Sequence, residues 1–165
     1  MIESIYGLLN DTELNLLDEF CANFKNEDTP RLTNYYNRMF LDKNKDLTSY
    51  QSNIKGYLFK KYGINYEIEG IWINKITTDT NKNDGFHLDE NALTIVSYIN
   101  EDFEGGEFEY FLLGTKPNPK IKPKRNLSLI TNDKLAHKVL PVTLGTRYSV
   151  VVFCVIPNKD KKTML

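Results

Sequence analysis

The sequence predicts an α+β chain, mainly β, with helices confined to its N-terminal part. Three observations support this. After Gly63, short runs rich in Val, Ile, Thr, Tyr and Phe alternate with turn signals at near-regular spacing. Before Gly63, apolar residues recur at helical spacing. Helices are scarce between the strands, which argues against a parallel α/β sheet and for a sandwich, jelly roll or small barrel.

The elements follow in order. Asn10 or Asp11 can cap a first helix, with Leu14, Leu17, Cys21 and Phe24 on one stripe. Asn26 to Pro30 is a break. The stretch 32–41 (LTNYYNRMFL) reads equally as strand or helix. Asp46 or Thr48 starts a second helix, with Tyr50, Ile54, Tyr57, Leu58 and Tyr62 on one side and Gly63 as its stop. Residues 1–65 are thus expected to be mainly helical support, and 66–156 the β core of a single domain spanning 1–165. Strands are expected at 66–76, 93–99, 106–113, 127–131, 135–140 and 146–156. Asn83-Asp84-Gly85, Gly105-Gly106, Pro117-Asn118-Pro119, Pro123 to Asn126 and Gly145 punctuate them. The last strand is almost continuously apolar, so both of its faces should be buried.

Composition narrows the function classes. The chain has 165 residues and a formal net charge of -1, so no global field is available to hold a polyanion. No apolar run is long enough to span a membrane, and the N-terminus does not read as a secretory signal. A cytoplasmic protein is the expectation, with no nucleic-acid or membrane partner. Cys21 and Cys154 lie far apart in apolar contexts and read as two buried free thiols.

The chemistry centres on Phe86-His87-Leu88-Asp89-Glu90. In a strand, His87 and Asp89 point to the same side. The only other histidine, His137, also lies in an expected strand. Two histidines and one carboxylate on one face of a first-row metal leave the opposite positions open, as non-haem iron(II) oxygenases require. An HxD triplet alone is a weak signal, since a His beside an Asp is common in loops. Arg147 adds to it: one of only four arginines, it opens the buried apolar strand. A guanidinium there needs an anionic partner, either a ligand carboxylate or one of the protein's own acids. Ser149 shares its strand face.

A third segment completes the pattern: a TxxxYxN strand, 94–100, followed by an acidic turn, Asp102-Phe103-Glu104-Gly105-Gly106-Glu107-Phe108. By itself it reads as an ordinary hairpin. The order HxD, TxxxYxN, DFEGGEF and HxVxPVxxGxRYS resembles the 2-oxoglutarate/iron(II) dioxygenase superfamily, most closely its prolyl 4-hydroxylase-like branch. The resemblance runs from about residue 70 to 156. It implies a double-stranded β-helix core, jelly-roll or cupin-like. It implies iron ligands at His87, Asp89 and His137, and a co-substrate carboxylate clamp at Arg147; these four are the catalytic set. Tyr98, Ser149 and Thr94 become candidate co-substrate contacts, although Tyr98 reads equally as a core aromatic. The implied cofactors are iron(II), 2-oxoglutarate and dioxygen, with ascorbate as a candidate reductant. Phe153 falls where relatives often carry Trp and is expected to wall the pocket. An upstream tyrosine of many hydroxylases is missing, with Asn74 or Thr77 as substitutes. A customary glycine is replaced within Lys124-Arg125-Asn126, where Asn tolerates the left-handed region.

Substrate recognition is expected on two stretches. One is 31–45, with Tyr35, Tyr36 and Arg38, either a flap over the mouth or a packed connector. The other is the Lys/Pro-rich loop 116–125, expected to be extended and solvated. The resemblance implies a protein or peptide substrate, proline-containing. The alternatives are a free amino acid or other small molecule, or a jelly-roll binding module without catalysis.

Overall fold

The computed structural model describes residues 1–25, 37–41, 47–80 and 85–157. In chain order the first elements are β1 (Ile2–Tyr6), α1 (Asp11–Ala22), β2 (Asn37–Phe40), α2 (Thr48–Tyr62), β3 (Glu67–Thr77) and β4 (Leu93–Tyr98). They continue with β5 (Glu104–Gly105), β6 (Phe108–Tyr110), β7 (Lys120–Ile121), β8 (Leu127–Asn132), β9 (His137–Val139), β10 (Val142–Leu144) and β11 (Thr146–Val155). The expected break at 26–30, the Asp46 cap, Tyr35, Tyr36 and the Asn83-Asp84 pair lie outside the described residues.

A six-stranded antiparallel sheet, in the order β1-β8-β4-β11-β3-β2, carries the molecule. Its central strand shows why both faces are apolar. Val150, Val152 and Cys154 alternate toward a core shared with Leu14 and Leu17 of α1 and Ile54 and Leu58 of α2. Arg147, Ser149, Val151 and Phe153 point the other way and line a cleft. Ile71 and Ile73 on β3 face the helical layer, while Trp72, Asn74 and Ile76 face the cleft. The second face is closed by the small sheets β7-β6-β9 and β10-β5. There Phe108 packs with Tyr98, Leu127 and Leu129 of the large sheet. The architecture is the double-stranded β-helix, with the helices stacked behind it.

Both helices form where the spacing predicts. Asn10 caps α1 through a reciprocal pair: Glu13 N–H donates to Asn10 Oδ1 at 2.9 Å, and Asn10 N–H to Glu13 Oε2 at 3.0 Å. Phe24 falls past the helix end and meets Tyr148 instead, ring centroids 6.2 Å apart. Gly63 ends α2 in the left-handed region at φ 67, its N–H donating to Phe59 O.

The N-terminal third is more than helical support. β1 and β2 form the two edges of the large sheet, paired to β8 and β3. The ambiguous stretch resolves as strand over 37–40. β5, β7 and β10 were not expected; two or three residues are too few to show a period. The strand expected at 106–113 spans only Phe108–Tyr110, and Phe111, Leu112 and Leu113 lie exposed beyond it. Nor is the loop 116–125 simply extended and solvated. β7 pairs within it, and Arg125 donates to both carboxylate oxygens of Asp18 at 2.9 and 2.7 Å. Cys154 is buried and Cys21 half-buried, both free, with burial pushing each thiol up to about 12. Among the described residues no helix is long and apolar enough to cross a membrane.

Asn126 ties the N-terminus to the sheet. It takes φ 60, accepts from Leu9 N–H at 3.2 Å and donates to Leu9 O at 2.9 Å. Asn126→Ala should lower the unfolding free energy by about 2–3 kcal/mol, read from the urea midpoint. Asn126→Gly, which relieves the backbone but not the lost bonds, should recover about 1 kcal/mol of that.

Candidate metal centre and anion clamp

Two backbone hydrogen bonds bring the histidines together. His87 N–H donates to His137 O at 3.0 Å, and His137 N–H to His87 O at 3.0 Å. Residues paired this way across an antiparallel ladder place their side chains on the same face. The imidazole centroids are accordingly 4.6 Å apart. His87 lies in an isolated bridge rather than in a strand, so that single pair supplies the orientation expected of a strand. His137 is held further by stacking on Phe108 at 4.8 Å and 19°.

Asp89 closes the triangle. Its Oδ2 is 3.7 Å from His137 Nε2 and its Oδ1 4.0 Å from His87 Nε2. One ligand atom from each of the three residues lies within 4.8 Å of the others. Both rings are held by the chain two residues before them: Nδ1 of His87 is 3.1 Å from Gly85 O, and Nδ1 of His137 is 2.9 Å from Leu135 O. A carbonyl accepts only from N–H, so each Nδ1 carries a proton and each Nε2 is the ring nitrogen turned toward Asp89, able to bind a metal in the neutral ring. Asp89 Oδ2 is buried with no hydrogen-bond donor. A buried carboxylate oxygen without a donor is costly, and a cation among the three groups would satisfy it. The donor set fits iron(II): two imidazole nitrogens and a carboxylate.

Arg147 lies in the same cleft and is 1% exposed. Among the described residues no acid pairs with it. Its Cζ sits 4.9 Å over the Tyr98 ring, and its Nε has no acceptor. Ser149 Oγ and Thr94 Oγ1, also lining the cleft, are buried without partners. A carboxylate at this end would satisfy all of these groups. Tyr98 stands behind Arg147 rather than on the cleft wall, fully buried. Burial holds its phenol above the usual range, against the opposing pull of the Arg147 cation.

Two further residues set the position of Arg147. The Asn100 amide donates to Thr146 O at 2.7 Å and accepts from Tyr148 N–H at 2.8 Å, so it grips the backbone on either side of Arg147. Gly106, at φ 67, passes so close that a Cβ there would lie 2.9 Å from Arg147 Cδ. The TxxxYxN and DFEGGEF segments contain both residues, but spacing alone gave neither a role. Asn74 lines the cleft; Thr77 closes a turn, its N–H donating to Thr80 Oγ1 at 2.8 Å. Phe153 walls the cleft edge-on to Trp72, centroids 4.5 Å apart. Arg38 and Trp72 also line it. In the sequence Arg38 stands out only within a stretch that reads as flap or packed connector, and Trp72 carries no signal.

The family model of the 2OG-Fe(II) oxygenase superfamily matches residues 75–155, which include the three converging side chains and Arg147. The chain belongs to that superfamily. Its cofactors are iron(II), 2-oxoglutarate and dioxygen. No curated protein matches the sequence. An oxidoreductase of the 2OG-Fe(II) oxygenase family from Burkholderia pseudomallei superposes with a TM-score of 0.73 at 20% identity, over 93% of this chain and 85% of that one. The viral collagen prolyl hydroxylase of Paramecium bursaria Chlorella virus-1, in its 2OG complex, gives 0.68 at 20% identity, over 93% and 94%. The non-heme, alpha ketoglutarate-dependent carbocyclase SnoK of nogalamycin biosynthesis gives 0.74 at 13%, over 93% and 78%. At these identities the likeness is one of fold.

Asp89→Ala should abolish iron(II) or manganese(II) binding by calorimetry and leave the thermal unfolding transition of the metal-free protein in place. Asn100→Ala and Gly106→Ala should each weaken 2-oxoglutarate binding about tenfold, with metal affinity unchanged. Unaltered co-substrate affinity in both would contradict the positioning described.

Proposed function

We propose that the protein is a 2-oxoglutarate-dependent hydroxylase acting on a proline in a protein or peptide. The observation that carries the oxygenase part is the convergence of His87, Asp89 and His137 in one cleft with the buried Arg147. His87, Asp89 and His137 hold the iron by Nε2, carboxylate and Nε2. Arg147 takes the distal carboxylate of 2-oxoglutarate, assisted by Ser149 and Thr94, with Tyr98 supporting the guanidinium from behind. When bound, iron and co-substrate supply the oxidation: substrate C–H, 2-oxoglutarate and dioxygen become C–OH, succinate and carbon dioxide. The chain's own part is to fix three ligands on one side, hold the co-substrate's far end, and line the reaction space with Val96, Val139, Val151 and Phe153. Ascorbate serves to keep the iron reduced.

The prolyl assignment is supported by the motif order and by the fold shared with the viral collagen prolyl hydroxylase. A small-molecule substrate is the second reading, because the carbocyclase superposes equally well. Incubation with iron(II), 2-oxoglutarate, ascorbate and proline-containing peptides should yield succinate and a mass increase of one oxygen on proline. Co-substrate consumption stimulated by amino acids or other small molecules, and by no peptide, would favour the second reading.

A further inference from the structure

We propose that Lys138 is a positioning residue for the metal centre: from the outer face of the small sheet its ammonium holds Phe86, and with it the segment that carries His87 and Asp89, against β9. The inference rests on the reading of His87, Asp89 and His137 as iron ligands. It starts from register. Glu109 of β6 stands opposite Lys138 of β9, and Tyr110 opposite His137. His87 stands opposite His137 in the same antiparallel sense, which sets Phe86 opposite Lys138. Successive side chains along a strand alternate between its faces. His87, Asp89, Phe108 and His137 line the cleft, so Phe86, Glu109 and Lys138 form a row on the far side of the same strands.

Contacts join that row. Lys138 Nζ lies 4.8 Å from the centroid of the Phe86 ring and 3.7 Å from Glu109 Oε2. The other carboxylate oxygen of Glu109 accepts from Asn118 Nδ2–H at 3.1 Å. The Glu109 side chain is only 12% exposed, so its carboxylate is a fixed anchor rather than a solvated charge. Asn118, Glu109, Lys138 and Phe86 thus tie four stretches of chain together. The tie matters most at its Phe86 end. Among the described residues the His87–His137 bridge is isolated, without the neighbouring rungs that hold a ladder in register. Phe86 is 42% exposed, so burial alone does not fix it. An ammonium over an aromatic face is attracted by the negative face of the ring. Held there, Phe86 fixes the backbone beside His87. Only the closed segment presents all three ligands, so the fraction of time it is closed sets the apparent metal affinity.

Two readouts test this: amide hydrogen exchange at His87 in the metal-free protein, followed by NMR, and manganese(II) affinity by calorimetry. Lys138→Met keeps a straight apolar side chain without the charge. Phe86→Leu keeps apolar bulk without the ring face and leaves the Glu109 pair alone. Each should speed exchange at His87 about fivefold and weaken manganese(II) binding by a similar factor. Lys138→Arg, which keeps a cation able to stack on the ring, should restore most of both. Exchange at Val151, in the middle of the large sheet, should not change in any of them. The double variant should be no worse than Lys138→Met alone, because both substitutions remove one contact. Three results would overturn the role: His87 exchange and metal affinity unmoved by Lys138→Met, exchange at Val151 rising as much as at His87, or losses in the double variant that simply add. Absence of metal binding in the unaltered protein would sink the iron reading instead, and exchange at His87 would still decide whether Lys138 holds the segment.

Discussion

A guanidinium that is 1% exposed, with no acid beside it among the described residues, costs several kcal/mol to keep out of water. Much of the fold around Arg147 holds it there. Val150, Val152 and Cys154 of the same strand anchor β11 in the core shared with the helices, so the alternate residues must face the cleft. Burying an aliphatic side chain contributes about 1.5–3 kcal/mol, and several such residues offset one costly cation. Asn100 pins the backbone on both sides of Arg147, Tyr98 supports it from behind, and Gly106 leaves room for its side chain. An anion entering the cleft would relieve that penalty, which is the physical ground for proposing Arg147 as the co-substrate clamp.

The metal centre uses a different device. His87 and His137 are distant in sequence, yet one reciprocal pair of backbone hydrogen bonds sets them side by side. Carbonyls two residues upstream fix both ring tautomers. Main-chain hydrogen bonds and the Phe108 stack thus orient the two rings.

Much of this was legible in the sequence, for identifiable reasons. Capping residues and the Gly63 stop are local signals, so α1 and α2 appeared where Asn10 and Gly63 placed them. Scarcity made His87, His137 and Arg147 conspicuous, and Asn126 took the left-handed turn expected of it. What escaped depends on long-range pairing. β1 and β2 are strands because β8 and β3 present edges to them. The grip of Asn100 joins segments far apart in the chain, and the Arg38–Trp72 stack exists only once β2 lies on β3. Gly106 looked like a turn residue, because nothing local reveals the side chain that passes over it.

We propose that one cleft binds iron through His87, Asp89 and His137 and 2-oxoglutarate through Arg147. The most direct measurement is the visible absorption of the protein under anaerobic conditions as iron(II) and then 2-oxoglutarate are added. A weak charge-transfer band should form that needs both additions, fails to form in His137→Ala, and in Arg147→Ala appears only at much higher 2-oxoglutarate. Tight metal binding with no band at any co-substrate concentration, or a band unaffected by Arg147→Ala, would contradict it.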